Sequence, residues 1–371
     1  MVFNGLEHVL HILLTILFIY YSSEYITDKK KFTEFSSPLY RLMLLSLLLA
    51  AARYEGLFLV LVVSVFILIR KKVLGSILIF LAGILPMTLA GIYAISEGWQ
   101  FLPSSILLKG NFPIESFSKI IKFFFYSFYP NLAETGSLVI LVTLLMIFFV
   151  LIYSKVRRIN YKSITILLIV LLMTALHLQF ASTGWFYRYE AYLIYTGILF
   201  LSVSISEIST LYKEKFHYFK DRKIRYGFVF ILIIALSPII NRGLNAVNKI
   251  PLASRNIYEQ HIINSRFLSN YLKSEYVAMN DIGAASLYSH AKIVDLWGLG
   301  DKNFFYSKLS GNYNAAAINN ILTNDSVKTA IIYENWFEGD VNFHKKWLKC
   351  GSWKIQNNFI CGIDEISFFA K

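Results

Sequence analysis

The chain has 371 residues, 56% of them hydrophobic and 16% charged, with a mean hydropathy of +0.54. That balance excludes a soluble domain of ordinary composition. The formal charge of +13 does not point to nucleic acid, because the basic residues fall between apolar runs rather than on one polar face.

In chain order, the apolar runs predict a polytopic α-helical membrane protein of about eight transmembrane helices, over 5–25, 38–52, 56–69, 73–95, 136–154, 163–181, 190–206 and 226–241. Each run covers most or all of a hydrocarbon core ~30 Å thick. Lysines and arginines set the orientation. They cluster at Lys29–Lys31, Arg70–Lys72, Lys155–Lys162 and Lys213–Arg225, sixteen in all, whereas the alternate loops hold four: Lys109, Lys119, Lys122 and Arg188. The positive-inside rule puts the four rich loops in the cytoplasm. Both termini are then extracytoplasmic, and the expected location is the plasma (inner) membrane, crossed several times.

The first run opens with Glu7, His8 and His11. The second apolar stretch, Leu42 to Ile69, carries Arg53 and Glu55 near its middle. A straight helix there would put the next basic cluster outside, so the charges favour a hairpin that turns at Arg53-Tyr54-Glu55. With arms of 15 and 14 residues, that turn lies at membrane depth and must be buried in protein or line a polar cavity. Glu97 leads into WQFLPSSILLKG with Lys109, His177 lies near the end of the sixth run, and Arg188, Tyr189 and Glu190 precede the seventh. All of these fall on the outer side. Charges inside a membrane protein are expensive and face a bundle interior or a cavity, so a one-sided set predicts an outward-facing cavity. The plain alternatives are a structural Arg53–Glu55 pair, Glu7 capping its helix, packed His11 and His177, a solvated Lys109, and Arg188 as an interfacial anchor among aromatic residues.

No set of His, Cys, Asp or Glu has the spacing of a structural metal site, so no metal ligands are expected, and use of a divalent metal stays open. After Asn241 the composition turns polar. The expected organisation is a transmembrane helical domain over 1–241 and an extracytoplasmic α/β or α+β domain over 242–371. In the second, YVAMNDIGAASLYSHAKIVDLWGLGDKNFF reads as strand, turn, short helix, strand and loop, VKTAIIYENWF as a strand, and the C-terminal stretch as a strand pair. Asp281, Asp295 and Asp301 are its notable carboxylates. Cys350 and Cys361 fit either a hairpin disulfide or two free thiols.

The stretches NGLEHVL, ARYEG, EGWQFLPSSILLKG, GWFYRYEAYL and NDIGAASLYSHAKIVDLWGLGD, in that order and on one side, resemble a polyprenyl-phosphate-sugar-dependent GT-C class membrane glycosyltransferase of the arabinofuranosyltransferase-like group. The resemblance implies a lipid-linked sugar as donor and a cell-envelope glycan, lipid or protein as acceptor. Membrane lipid is then a partner and nucleic acid is not. It also implies substrate binding by Glu7, His8, Arg53, Glu55, Lys109, Arg188 and Tyr189, with the arginines and lysine on phosphate. LPSS departs from the family's commoner proline-asparagine turn. Family members also carry one or two aspartates, the expected catalytic base, in a loop after an earlier span, and that loop is not in this sequence. Glu7 is the weak substitute. The expectation is therefore that an N-terminal portion lies upstream of Met1, or that the chain is a degenerate copy. The alternative functions are a catalytically inactive scaffold or partner subunit of an envelope assembly and a lipid-linked sugar transporter. Inverted repeats are the mark of the transporter, and the sequence shows no internal repeat.

Overall fold

The computed structural model describes residues 7–27, 36–109, 136–154, 161–184, 186, 188–215 and 222–371. The basic loops at 28–35, 155–160 and 216–221, the loop with Lys119 and Lys122, and Trp185 and Tyr187 lie outside the described residues. The chain divides into two compact units, residues 1–97 with 110–243, and residues 98–109 with 244–371.

The first unit is built from α1 (His8–Thr27), α2 (Ser37–Ala52), α3 (Gly56–Ile69) and α4 (Val73–Ser96). The later helices are α6 (Gly136–Ser154), α7 (Tyr161–Phe180), α8 (Ala191–Lys215) and the start of α9 (Arg222–Ile257), which crosses the boundary between the units. α2 ends where Arg53 turns to an extended conformation, and α3 begins three residues later, its first turn closed by Gly56 N–H donating to the Arg53 carbonyl at 3.0 Å. The arms fold back antiparallel, since Ser46 and Val60 both meet Gly83 of α4. A β-carbon at Gly83 would stand 2.7 Å from Ser46 Oγ and from Val60 Cγ1, so the three helices approach this closely only because position 83 has no side chain. Buried serines join the same helices: Ser46 Oγ donates to the Ile79 carbonyl at 2.8 Å and Ser76 Oγ to the Ser64 carbonyl at 2.7 Å.

The expectation of about eight transmembrane helices is corrected here. Among the described residues, two helices are long and apolar enough to cross a membrane, His8–Thr27 and Val73–Ser96. The others fall short for a physical reason. α2 and α3 have 16 and 14 residues, about 24 and 21 Å at ~1.5 Å per residue. In α6, α7 and α8 the described apolar parts are only Leu138–Ile147, Ile164–Phe180 and Ala191–Val203. Counting apolar runs treats every run as a span, whereas the chain spends several of them on short packed helices.

The second unit contains a five-stranded sheet in the order β2-β1-β3-β5-β4. Its strands are β1 (Tyr276–Met279), β2 (Lys292–Asp295), β3 (Thr329–Ile332), β4 (Leu348–Lys354) and β5 (Glu365–Ala370). β1 pairs in parallel with β2 and β3, and β5 pairs antiparallel with β3 and β4. The period of two sends alternate side chains to opposite faces. Val277, Met279, Ile331 and Tyr333 pack with Leu268 of α10 (Ile263–Tyr271) and Ala285 of α11 (Gly283–Tyr288). Ala278, Ala330 and Ile332 pack on the other side, with Phe304 of α12 (Lys302–Leu309) and Ile318 and Leu322 of α13 (Ala315–Asn324). Asp301 and Asn314 cap α12 and α13 by accepting from Phe304 N–H and Ala317 N–H. The segment 98–109, which includes α5 (Ser104–Lys109), belongs to this unit. Trp99 packs on Phe305 at 5.9 Å, and Ser104 Oγ donates to the Leu299 carbonyl.

Candidate functional site

The turn between α2 and α3 delivers Arg53 to the N-terminal end of α1. Its guanidinium grips Glu55 with two parallel bonds, Nε to Oε2 at 3.2 Å and Nη2 to Oε1 at 2.6 Å. Nη1 donates to Glu7 Oε1 at 2.7 Å and stands 3.0 Å from His8 Nδ1. The Arg53 side chain is 11% exposed and Glu55 19%, whereas Glu7 is 44% exposed, so the Arg53–Glu55 pair is largely withdrawn from solvent and Glu7 stands at its outer edge. A planar fork matched by a carboxylate is the strong form of this interaction. Arg53 is thereby mostly occupied by protein.

The segment before α8 folds back toward the same cluster. Gly184 has φ +87° and Phe186 φ +57°, left-handed geometry that glycine adopts freely and phenylalanine does not. The turn lets the Glu190 side chain, 0% exposed, accept from Gly184 N–H at 2.9 Å and pair with Arg242 of α9. Glu190 also sits at the N-terminal end of α8, where a negative charge is favoured. With Glu190 anchored, Tyr189 comes within 6.0 Å of the Arg53 guanidinium and 5.5 Å of the Arg188 guanidinium. Arg188 pairs with no carboxylate among the described residues, and its Nε is buried without a hydrogen-bond partner there.

Beneath this layer, His11 and His177 flank Tyr192. The His11 ring lies 4.6 Å from the Tyr192 ring, and His177 Nδ1 is 3.0 Å from the Tyr192 hydroxyl. His11 Nε2, His177 Nε2, Thr15 Oγ1 and Thr196 Oγ1 are buried without partners among the described residues. Buried polar groups are normally satisfied, so these four atoms mark an interior that accepts further polar contacts. Among the described residues, no group of three or more His, Cys, Asp or Glu is placed to hold a metal ion.

Six of the seven expected binding residues, Glu7, His8, Arg53, Glu55, Arg188 and Tyr189, thus meet at one end of the helical unit. Lys109 is the last residue of α5 and groups with the other unit. Sequence reasoning missed Arg242, because it fell just past the compositional boundary at Asn241, and it did not single out Tyr192. In the second unit, Asp295 accepts from the backbone N–H groups of Trp297, Leu299 and Gly300, a structural role. Asp281 lies 3.8 Å from His261 Nε2 and accepts from the Tyr333 hydroxyl. Cys350 and Cys361 are free thiols, the first exposed and the second buried. Burial, with the nearby Asp281 charge, pushes the Cys361 thiol up to about 12.

Residues 255–369 match a family model described as a domain of unknown function (DUF8728). No curated protein and no solved structure matches the chain.

Proposed function

We propose that the helical unit is embedded in a membrane and forms the donor site of a polyprenyl-phosphate-sugar-dependent glycosyltransferase of the GT-C class. It would act on a cell-envelope acceptor at the extracytoplasmic face. Membrane embedding is supported by α4, whose exposed face is apolar along its length (Ile77, Leu81, Leu85, Leu89, Ile92) while its packed face is Gly75, Ser76, Ile79 and Gly83. Apolar outside and small inside suits a lipid solvent.

The observation that carries the donor-site reading is Arg188, a partly buried guanidinium with no carboxylate partner among the described residues, beside an aromatic ring and the Arg53 ionic network. In transfer, an acceptor hydroxyl attacks the anomeric carbon and the bond to the phosphate oxygen breaks. Charge then grows on the departing polyprenyl phosphate, where a pre-placed cation lowers the barrier. Arg188 supplies that cation, and the orphaned polar atoms around His11 and His177 supply partners for sugar hydroxyls.

A second reading, a catalytically inactive binding subunit, is favoured by one specific observation. Glu7 and Glu55 are both paired to Arg53, so neither is free to deprotonate the acceptor.

The test is to purify the full chain from its native membranes and identify co-purifying lipids by mass spectrometry. The donor-site reading expects a polyprenyl-phosphate sugar with the wild type and its loss from Arg188→Ala. Absence from the wild type, or equal retention by the variant, overturns it. Passage of labelled sugar from the lipid to an acceptor selects the enzyme, and binding without passage selects the subunit.

A further inference from the structure

The end of the helical unit opposite Arg53 holds a cavity of about 380 Å³. Its walls come from the C-terminal end of α1 (Tyr21, Glu24, Tyr25), the start of α2 (Arg41) and the start of α7 (Lys162). Sixteen residues of α1 separate Glu24 from His8, about 24 Å at ~1.5 Å per residue. The two polar ends are therefore spaced much as two membrane interfaces are, across a core ~30 Å thick.

The chemistry of this cavity is cationic and aromatic. The Arg41 guanidinium lies 4.6 Å from the Tyr21 ring centroid, and Lys72 Nζ lies 4.3 Å from that of Tyr25. Lys162 Nζ lies 4.8 Å from the Tyr20 ring and 3.3 Å from Glu24 Oε1. Two cations of the cavity wall, Arg41 and Lys162, thus stand with one carboxylate, Glu24, and Lys72 lies beside them, donating to the Tyr25 carbonyl. Arg41 is exposed and pairs with no carboxylate among the described residues. A guanidinium beside a ring keeps donors available for a planar or tetrahedral oxyanion. Tyrosine rings at an interface suit the glycerol and upper acyl region.

We propose that this cavity binds the phosphate of an anionic phospholipid headgroup, with Arg41 as the principal ligand and Lys72 and Lys162 as supporting charges. Basic pockets between helices at a membrane surface are the expected home of such headgroups. The inference rests on the membrane-embedded reading of this unit but not on the donor site at the other end.

The experiment titrates the purified full chain, in a neutral detergent, with dihexanoyl phosphatidylglycerol, dihexanoyl phosphatidylcholine and inorganic phosphate, following binding by calorimetry. The expected result is saturable binding of phosphatidylglycerol, at least ~10-fold tighter than phosphatidylcholine and weakened at least ~10-fold by Arg41→Gln, the loss of one charge-assisted contact. Arg41→Lys retains part of the affinity. Equal binding of phosphatidylcholine, or an unaffected Arg41→Gln variant that is folded by circular dichroism, overturns the proposal. Binding of inorganic phosphate as tightly as the lipid overturns the lipid source in favour of a free anion. Alkaline carbonate extraction of membranes carrying the full chain separates the two failures. Release into the supernatant removes the embedded reading, whereas retention without phosphatidylglycerol binding removes only the headgroup site.

Discussion

α4 and α13 are both helices packed against their own unit, and they are built inside out relative to each other. α13 buries Ile318 and Leu322 and turns asparagines outward, with Asn314 capping its start. α4 buries glycine and serine and turns leucine and isoleucine outward. Water selects the first arrangement, because burying apolar area is the main driving term there. The second is the arrangement that the proposed membrane embedding predicts, since close backbone approach and interhelical hydrogen bonds are the terms that remain when the surroundings are as apolar as leucine. The difference teaches that hydrophobicity alone cannot sort these helices. What sorts them is which face carries the large side chains.

The comparison can be broken most severely where the helical unit has staked a buried charge. Glu190→Ala removes a buried carboxylate from Arg242 and leaves Gly184 N–H without its acceptor, an expected loss of about 3–5 kcal/mol. Folded yield in detergent should fall sharply. Near-normal yield and melting temperature would mean the pair is not structural. Next comes the outward face of α4. Leu85→Lys with Leu89→Lys should cost about 2.5–3.5 kcal/mol per lysine if that face meets lipid near the bilayer centre, measured as loss of membrane insertion in cells. In detergent the same change should leave the melting temperature nearly unaltered, whereas Gly83→Val, pressed against Ser46 and Val60, should lower it, at a cost in stability of about 1–3 kcal/mol. If the lysine pair inserts normally, α4 faces water and the contrast with α13 collapses.

Smaller effects sharpen the α/β side. Asp301→Ala removes the cap of α12 and should cost about 1 kcal/mol, visible as faster amide exchange over Lys302–Leu309. Acid should loosen β4 and β5. Burial holds the His344 imidazole below its ordinary value, and Lys349 with Ser367 holds the Glu334 carboxyl below the usual range. For both groups the unfolded chain takes up protons first as pH falls. Stability is therefore complete above about pH 6.5, declines as His344 is forced to charge, and declines further below about pH 4.5 as Glu334 loses its partners. Exchange over Leu348–Lys354 should quicken on that descent, and His344→Gln should flatten its upper part. Maleimide should label Cys350 alone in the folded protein and both thiols after denaturation, since Cys361 is buried and held protonated.

Much of this was legible in the sequence. Helices α1 to α4 lie within a few residues of the apolar runs, because long apolar segments leave no other way to satisfy backbone groups away from water. The turn at Arg53-Tyr54-Glu55 followed from charge placement alone. The stretches read as strands contain β1, β2, β3 and β5, whereas the strand pair read from Trp353 onward catches only the last two residues of β4, which begins at Leu348. The number of spans was not legible, because an apolar run of 14–16 residues is too short for an unaided crossing and too apolar to look like anything else. The occupancy of Arg53 was hidden for a different reason. A sequence shows Glu7 and Glu55 as neighbours in kind but not that both close on one guanidinium, so Arg53 looked as available as Arg188. Arg242 escaped because it follows the last apolar run and partners a residue 52 positions earlier.

The central claim is that Arg188, rather than Arg53, is the free phosphate cation of the helical unit. The most direct measurement is a titration of the purified full chain with farnesyl phosphate and with farnesol, repeated on Arg188→Ala. The account predicts that the wild type prefers the phosphate by at least ~10-fold, a charge-assisted contact of roughly 1.5–3 kcal/mol, and that Arg188→Ala removes most of that preference. Equal affinity for phosphate and alcohol in the wild type, or an undiminished preference in the variant, would contradict it.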